Sequence, residues 1–189
     1  MRELGVSLDP EHLDTGFPHP SDPKQRVFVM FDICHMLKLI RGYFSKDIIF
    51  DKDGGKIMWS YVDTLHKLQE KEGLHLANKL KLAHIHWHSQ KMKVKLAAQV
   101  LSQSVADAIE FLDTKLHLPE FKGSGPTVKF IRIIDRLFDL LNSRNPSACG
   151  FKAPLREIGF KLIYSFLKNK NKLYMLQYLN FGWLKGSAL

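Results

Sequence analysis

The sequence predicts a mainly α-helical protein with one short strand near its start. Apolar residues recur at helical spacing over most of residues 55–141. By contrast, Val27 to Phe31 form a continuous apolar run that is typical of a buried strand. At 189 residues, with 45% apolar and 25% charged content, the chain can bury a sizeable core as a soluble globular protein. No apolar run approaches the roughly 18 residues of a membrane span, so we expect no membrane partner.

The elements follow in order. Residues 1–26 contain four prolines and predict an irregular lead-in to the strand. Residues 33–44 predict a helix with Leu37, Ile40 and Phe44 on one side, and the "DKDGG" sequence at 51–55 predicts a tight turn. The next helix is predicted from the spacing of four apolar residues and ends at Gly73. Those four are Ile57, Tyr61, Leu65 and Leu68.

Three more helices are predicted in the second half. One long apolar stripe runs from Val94 to Leu112 and favours a single helix. Thr127 is the expected cap of the following helix, which carries its own stripe up to Leu141. Residues 155–180 predict a last helix from a weaker pattern. The body of the chain is therefore expected to be helical.

The charge is positive and unevenly distributed. The net charge is +9, with a pI of about 9.5. The stretch from Gly73 to Ala106 has five lysines and no acidic residue, and the stretch from Ile158 to the end has the same composition. Such blocks attract nucleic acid or nucleotide phosphates, although a solvated basic face is the commoner origin of any one lysine.

The cysteines and the common motifs exclude several classes of protein. Cys34 and Cys149 do not make a disulfide framework, which favours an intracellular reducing compartment. No CxxC pair indicates a structural zinc site, and neither GxxxxGK[ST] nor GxGxxG is present. The acidic, polar start "MRELGVSLDPEHLD" is not a secretory signal.

Two polar groups have alternative interpretations. Asp32 directly follows the apolar strand, where it is either a helix N-cap or a metal-binding carboxylate at a strand end. His84, His86 and His88 alternate, so on a strand they could ligate zinc, but surface or partly buried histidines are the favoured interpretation.

One polar helix face can be interpreted either as a set of local ion pairs or as a surface that recognises a base. Asp135, Asp139 and Asn142 recur at i, i+4 and i+7. This face either forms local ion pairs with Arg132 and Arg136, or presents a carboxylate that accepts hydrogen bonds from a guanine base.

Four segments in a fixed order resemble the P-element-type transposases, which include the THAP-domain transposases of vertebrates. The segments are "FDICHMLKLIRG", "LANKLKLAHIHW", "KMKVKLAAQVLSQSVADAI" and "FDLLNSRNP". The resemblance runs from about Pro18 to Arg156. It implies a ribonuclease-H-like catalytic core that is interrupted by a largely helical insertion that binds GTP.

The resemblance implies domain bounds and a role for Asp32. Residues 1–44 would be a partial ribonuclease-H-like segment, 45–180 the helical GTP-binding insertion and 181–189 a tail. Asp32 matches one of three carboxylates that bind two Mg²⁺ ions. The other two carboxylates are not recognised in this sequence, so we expect the chain to be catalytically incomplete by itself.

The resemblance also implies a nucleotide site, and partners for the full-length protein. Lys79, Lys93, Val94 and Ser102 match positions that hold the nucleotide, and Asp139 matches the residue that reads the base. Asn142 is a further candidate on the same face. The implied partners are GTP, DNA in the full-length context, and further copies of the protein in a homo-oligomer. The implied localisation is nuclear. The alternatives are a domesticated DNA- or protein-binding remnant and a fragment of an active transposase.

Overall fold

The structure is a computed structural model that describes residues 16–28, 32–51, 53–73 and 80–143, together with six single positions. Those positions are Gly5, Asp14, Leu76, Ser147, Cys149 and Lys152. The chain forms two compact units, one comprising Met1–Asp32 with Leu162–Leu189 and the other Ile33–Lys161. The predicted site residue Lys79 and the helix predicted over 155–180 lie outside the described residues.

In the first unit, a β-hairpin occupies part of the predicted lead-in. Strand β1 (Gly16–His19) pairs antiparallel with β2 (Asp22–Phe28). The expectation of irregular structure up to residue 26 is therefore wrong, and the strand predicted from Val27 begins five residues earlier. Prolines are tolerated here because each strand of a two-stranded sheet has a free edge that needs no ladder hydrogen bond. The described strand also has a pairing partner, so it is not the isolated strand that the sequence suggested.

The hairpin is fastened by an ion pair between its two sides. Arg26 Nη2 lies 2.6 Å from Asp14 Oδ1 and donates to the carbonyl of Gly16 at 3.0 Å. The hydrogen bond from Arg26 lowers the pKa of Asp14. Both side chains are exposed, so this pair orders the hairpin more than it stabilises it.

The second unit begins with helix α1 (Ile33–Phe44), whose predicted bounds are confirmed. Its inner face buries Leu37, Ile40 and Phe44. The ring of Phe44 is centred 5.3 Å from that of Trp59 and 5.1 Å from that of Phe130. Edge-to-face aromatic contacts of this kind fix the helix against two other parts of the core.

A second hairpin follows at the predicted turn. Strands β3 (Ile49–Phe50) and β4 (Lys56–Ile57) pair antiparallel. Asp51 Oδ1 accepts from the backbone N–H groups of Asp53 and Gly55, at 2.9 and 2.6 Å. A side chain at Gly55 would place its Cβ 2.6 Å from Pro126 Cγ, so only glycine fits this close approach. The "DKDGG" turn is thus confirmed.

Helix α2 (Ser60–Glu72) ends at Gly73 as predicted, with φ of 65° in the left-handed region that favours glycine. The predicted start of this helix was wrong, because Ile57 lies in β4 and not in the helix. Tyr61 points inward, and its hydroxyl donates to the carbonyl of Lys122 at 3.0 Å.

The stripe predicted as one helix is divided into two. Helix α3 (Leu82–Ile85) and a 3₁₀ turn (Trp87–Gln90) lead into α4 (Val94–Val100) and α5 (Gln103–Thr114). The chain leaves the helical conformation at Leu101 and Ser102, and serine is a preferred residue at the start of a helix. Because both halves of the stripe remain buried, the apolar pattern alone did not reveal the break.

Helix α6 (Gly125–Leu141) closes the core, and the predicted cap at Thr127 is wrong. Ser124 is the N-cap residue and Pro126 lies in the first turn, where its missing N–H costs no hydrogen bond. The hydroxyl of Thr127 instead accepts from the N–H of Met58 at 3.1 Å. Asp113 holds the helix start, because Ser124 Oγ donates to its carboxylate at 2.9 Å.

Helices α5 and α6 pack together in the centre of the second unit. Apolar side chains from both helices are buried there, joined by residues of α2 and α4. They include Val62, Leu65, Val100, Val105, Ile109, Leu112, Val128, Ile131 and Ile134. The predicted mainly α-helical fold is confirmed, and the described residues also contain small two-stranded sheets. Within the described ranges, no helix is long and apolar enough to cross a membrane.

Candidate functional site

Ser102 begins α5 with an extended backbone, at the break between two helices. Its hydroxyl donates to the carbonyl of Gln99 at 2.8 Å, and it lies 3.0 Å from the hydroxyl of Ser104. Because its single hydrogen is directed to Gln99, Ser104 is the donor in the second contact. The Ser102 side chain therefore does not cap its own helix.

The carboxylate of Asp135 in α6 interacts with the N-terminus of α5. The backbone N–H of Gln103, the first residue of α5, lowers the pKa of Asp135. Burial raises the pKa of Asp135 and the nearby charge of Asp139 raises it further, whereas the hydrogen bond from Gln103 lowers it. This contact brings the predicted residue Ser102 beside the polar face that carries Asp139.

Asp139 lies one turn after Asp135 and is differently placed. Its carboxylate is 31% exposed, and the Lys152 Nζ atom lies 3.9 Å from its Oδ2 atom. The alternative ion pair with Arg132 is not formed, because Arg132 reaches across to α5 and pairs with Asp107 and Glu110 at 2.7 and 2.6 Å. Of the two aspartates, Asp135 is committed to a helix end and Asp139 faces solvent.

Asn142 lies at the C-terminal end of α6, where its N–H donates to the carbonyl of Phe138 at 2.9 Å. Its side-chain oxygen is 3.9 Å from the sulfur of Cys34, which belongs to the first turn of α1. Asn142 is therefore partly engaged with α1, on the same end of α6 as Asp139.

Lys93 and Val94 are at the start of α4. Lys93 is exposed, and its backbone N–H donates to the carbonyl of Gln90 at 3.0 Å. Helix α1 packs against both α4 and α6.

A buried hydrogen-bond chain joins the segment after Lys79 to Ser102. His84 is 2% exposed, and its Nδ1 atom accepts from the N–H of Lys81 at 2.9 Å. Its Nε2–H consequently donates to Gln99 Oε1 at 3.0 Å, and the carbonyl of Gln99 accepts from Ser102. Lys81, two residues after Lys79, is thus linked to the junction of α4 and α5.

The alternating histidines do not share a face of a strand. His84 is buried in α3, His86 is exposed between α3 and the 3₁₀ turn, and His88 is exposed in that turn. Across the part of the chain that is described, no group of three or more His, Cys, Asp or Glu side chains is arranged to hold a metal ion. Asp32 is exposed in the first unit, directly before α1 in the sequence.

Gln99 and Gln103 were not predicted from the sequence as site residues, and His84 was not connected with this site. These three residues act through side-chain or backbone contacts between different elements. The available signal was the "LSQS" sequence, whose two serines interrupt an apolar stripe at a place where a helix can begin.

Comparisons with known proteins agree with this helical core. Residues 34–154 match the family model described as "TNP-like, GTP-binding insertion domain". These residues start in α1 and extend beyond α6, so they include the described candidate residues from Lys93 to Asn142.

Curated relatives and one solved structure are similar over most of the chain. The "DNA transposase THAP9" of Homo sapiens is 35% identical over 154 residues, which are 82% of this chain and 17% of that protein. The "Transposable element P transposase" of Drosophila melanogaster is 29% identical over 143 residues, 75% of this chain and 18% of that one. This chain therefore spans less than a fifth of either relative.

The solved structure is the "Drosophila P element transposase strand transfer complex". It superposes with a TM-score of 0.71 at 25% identity, over 88% of this chain and 38% of that chain. The family match covers more than half of the sequence. The chain therefore belongs to the TNP-like GTP-binding insertion domains of P-element-like transposases.

Proposed function

We propose that this chain binds GTP through residues at the starts of α4 and α5 and at the end of α6. Lys79, Lys93, Val94 and Ser102 hold the nucleotide, and Asp139 reads the guanine base. One observation carries the proposal above the others. Asp135 interacts with the N–H of Gln103, whereas the Asp139 side chain, one turn later on the same face, is 31% exposed.

The phosphates are assigned to the basic side of this surface. Lys93 is exposed and lies in a stretch with no acidic residue between Gly73 and Ala106. Ammonium groups in such a stretch offset the charge of a triphosphate through charge-assisted hydrogen bonds. Ser102 adds a hydroxyl whose oxygen and hydrogen can be redirected from Gln99 and Ser104 towards a phosphate oxygen.

The base is assigned to the end of α6. Guanine presents two neighbouring donors, N1–H and the exocyclic amine, and an ionised carboxylate is acceptor-only. Adenine presents a lone pair at N1, which a carboxylate repels. Asp139 therefore selects guanine, with Asn142 as an additional contact at the same end of the helix.

We further propose that Asp32 is a metal-binding carboxylate of a longer transposase. A two-metal phosphoryl-transfer site needs several carboxylates around Mg²⁺. Within the described residues Asp32 does not belong to such a group, so other segments of the full-length protein would supply the remaining ligands. In that context residues 1–44 contribute to the catalytic core, 45–180 form the insertion and 181–189 a tail. DNA is the substrate, and the protein acts in the nucleus as a homo-oligomer.

A calorimetric titration of the purified chain with GTP and with ATP, each with and without Mg²⁺, tests the nucleotide function. We expect saturable binding of GTP and weaker binding of ATP. Equal affinity for the two nucleotides would contradict guanine reading by Asp139. Absence of binding to both would favour a domesticated remnant that has lost its nucleotide site.

A further inference from the structure

Arg41 is a charged side chain in the apolar core of the second unit. It lies on the inner face of α1 between Leu37 and Phe44, and its exposed fraction is 0%. A charge taken out of water is costly unless it is paired, so a fully buried arginine needs a physical explanation.

The guanidinium is only partly satisfied by its surroundings. Its Nη2 donates to the carbonyl of Lys91 at 2.8 Å and to that of Gln90 at 3.4 Å. Its central carbon lies 5.3 Å from the centre of the Trp87 ring, a cation–π distance. The Nε and Nη1 atoms are buried and have no hydrogen-bond partner among the residues that the structure describes.

The charge of Arg41 also lacks a compensating carboxylate in the described residues. Burial lowers the pKa of Arg41, and no acidic group opposes that effect. Arg132 is the contrasting case, because Asp107 and Glu110 both pair with it and raise its pKa. A guanidinium nevertheless stays protonated, so α1 carries a buried positive charge.

The contacts of Arg41 are concentrated beneath one turn. The carbonyl of Gln90 accepts from both Arg41 and the N–H of Lys93, and the carbonyl of Lys91 accepts the shorter bond from Arg41. Residues 90–93 lead directly into Lys93 and Val94, which are assigned to the nucleotide. The Nη2 atom of Arg41 thus holds the turn that presents the predicted phosphate-binding lysine.

We propose that Arg41 is a positioning residue for the triphosphate. Its hydrogen bonds hold the Gln90–Lys93 turn from the core side, and its uncompensated charge favours binding of an anion on the solvent side of that turn. This inference rests on the proposed GTP function. The proposed function assigns affinity to residues that contact the nucleotide. Here a residue that does not contact the nucleotide determines the affinity for its phosphates, and not for its base.

The test compares the parent chain with Arg41→Met by calorimetric titration of guanosine, GMP, GDP and GTP, together with thermal unfolding. Removing an uncompensated buried charge in favour of an apolar side chain is expected to leave the melting temperature unchanged or raise it. The dissociation constant for GTP is expected to rise about ten-fold, as for the loss of a charge-assisted interaction. The loss of affinity caused by the substitution should become smaller with each phosphate removed, from GTP through GDP and GMP to guanosine.

Lys129→Met, an exposed charge on α6 well before Asp139, controls for the change in net charge and should bind all four ligands like the parent. A folded Arg41→Met chain with parental GTP affinity, or with an equal loss for all four ligands, would overturn the proposal. If Arg41→Met does not fold, Arg41→Lys replaces it, since lysine keeps the charge but is one bond shorter and does not reach the two carbonyls that Nη2 contacts. Parental GTP binding by Arg41→Lys would then refute the positioning role. If the parent binds none of the four ligands, the GTP function fails and this inference with it.

Discussion

The carboxylate of Asp135 in α6 interacts with the backbone N–H of Gln103, the first residue of α5, and this interaction lowers its pKa. This contact decides how two aspartates on a single face are used. It leaves Asp135 as part of the scaffold and Asp139, one turn later, at the surface. Substitutions of the two aspartates are therefore expected to have different effects.

Asp135→Ala should lower the free energy of unfolding by about 1 kcal/mol, the usual cost of losing a helix N-cap. Asp135→Asn keeps an acceptor oxygen and should cost much less. Chemical denaturation of the three chains at neutral pH measures this difference. Equal destabilisation by alanine and asparagine would show that the hydrogen bond from Gln103 is not the important contact.

Acid titration of stability gives a second test of Asp135. Its pKa is raised in the folded chain, so between the unfolded pKa and the folded pKa the native state binds more protons. The contribution of Asp135 is therefore fully present below the unfolded pKa and is lost as the pH rises through the folded pKa. The stability of the parent relative to Asp135→Asn should fall with rising pH in this window. A rise in the same window would contradict the burial of Asp135.

Arg132→Met should loosen the packing of α5 on α6. Arg132 donates to both Asp107 and Glu110, and the two carboxylates are about half exposed. The cost should be about 1 kcal/mol at low ionic strength and smaller in high salt, because exposed ion pairs are screened. Denaturant midpoints at two salt concentrations measure it. A cost that is independent of salt would indicate lost packing of the aliphatic stem instead.

The chain by itself should neither cut nor join DNA in the presence of Mg²⁺ or Mn²⁺. The described residues do not assemble a group of three metal-binding side chains around Asp32. Incubation of the purified chain with labelled DNA, followed by gel analysis, tests this expectation. Metal-dependent strand transfer that disappears in Asp32→Ala would show that the missing ligands are available within this chain.

The sequence predicted the bounds of a helix correctly where the apolar pattern began and ended with the helix itself. The bounds of α1 were correct because its apolar stripe is uninterrupted between Asp32 and Ser45. The division of α4 from α5 was missed because the buried stripe continues in phase through Leu101. The cap of α6 was misplaced by three residues, although Pro126 marked the first turn.

The arrangement of the site could be predicted only in part. Residue types indicated a polar face and a basic stretch, and resemblance assigned roles to individual positions. The contact between Gln103 and Asp135 joins residues from two helices, and the burial of Arg41 depends on the 90–93 turn that packs over it. Neither relationship leaves a periodic pattern in the sequence.

Asp139 has a matched control within this chain. Asp63 of α2 is also 31% exposed and pairs with a single lysine, Lys67. Asp63→Asn therefore makes the same chemical change on another helix. It should leave all nucleotide affinities unchanged.

The central claim is that Asp139 reads guanine, and the most direct measurement is the ratio of GTP to XTP affinity in Asp139→Asn. Losing a charge-assisted pair with N1–H and the exocyclic amine should weaken GTP by about ten- to a hundred-fold. The new amide can donate to the C2 carbonyl of xanthine, so the binding of XTP should improve relative to GTP. A GTP-to-XTP ratio equal to that of the parent and of Asp63→Asn would contradict the assignment of Asp139.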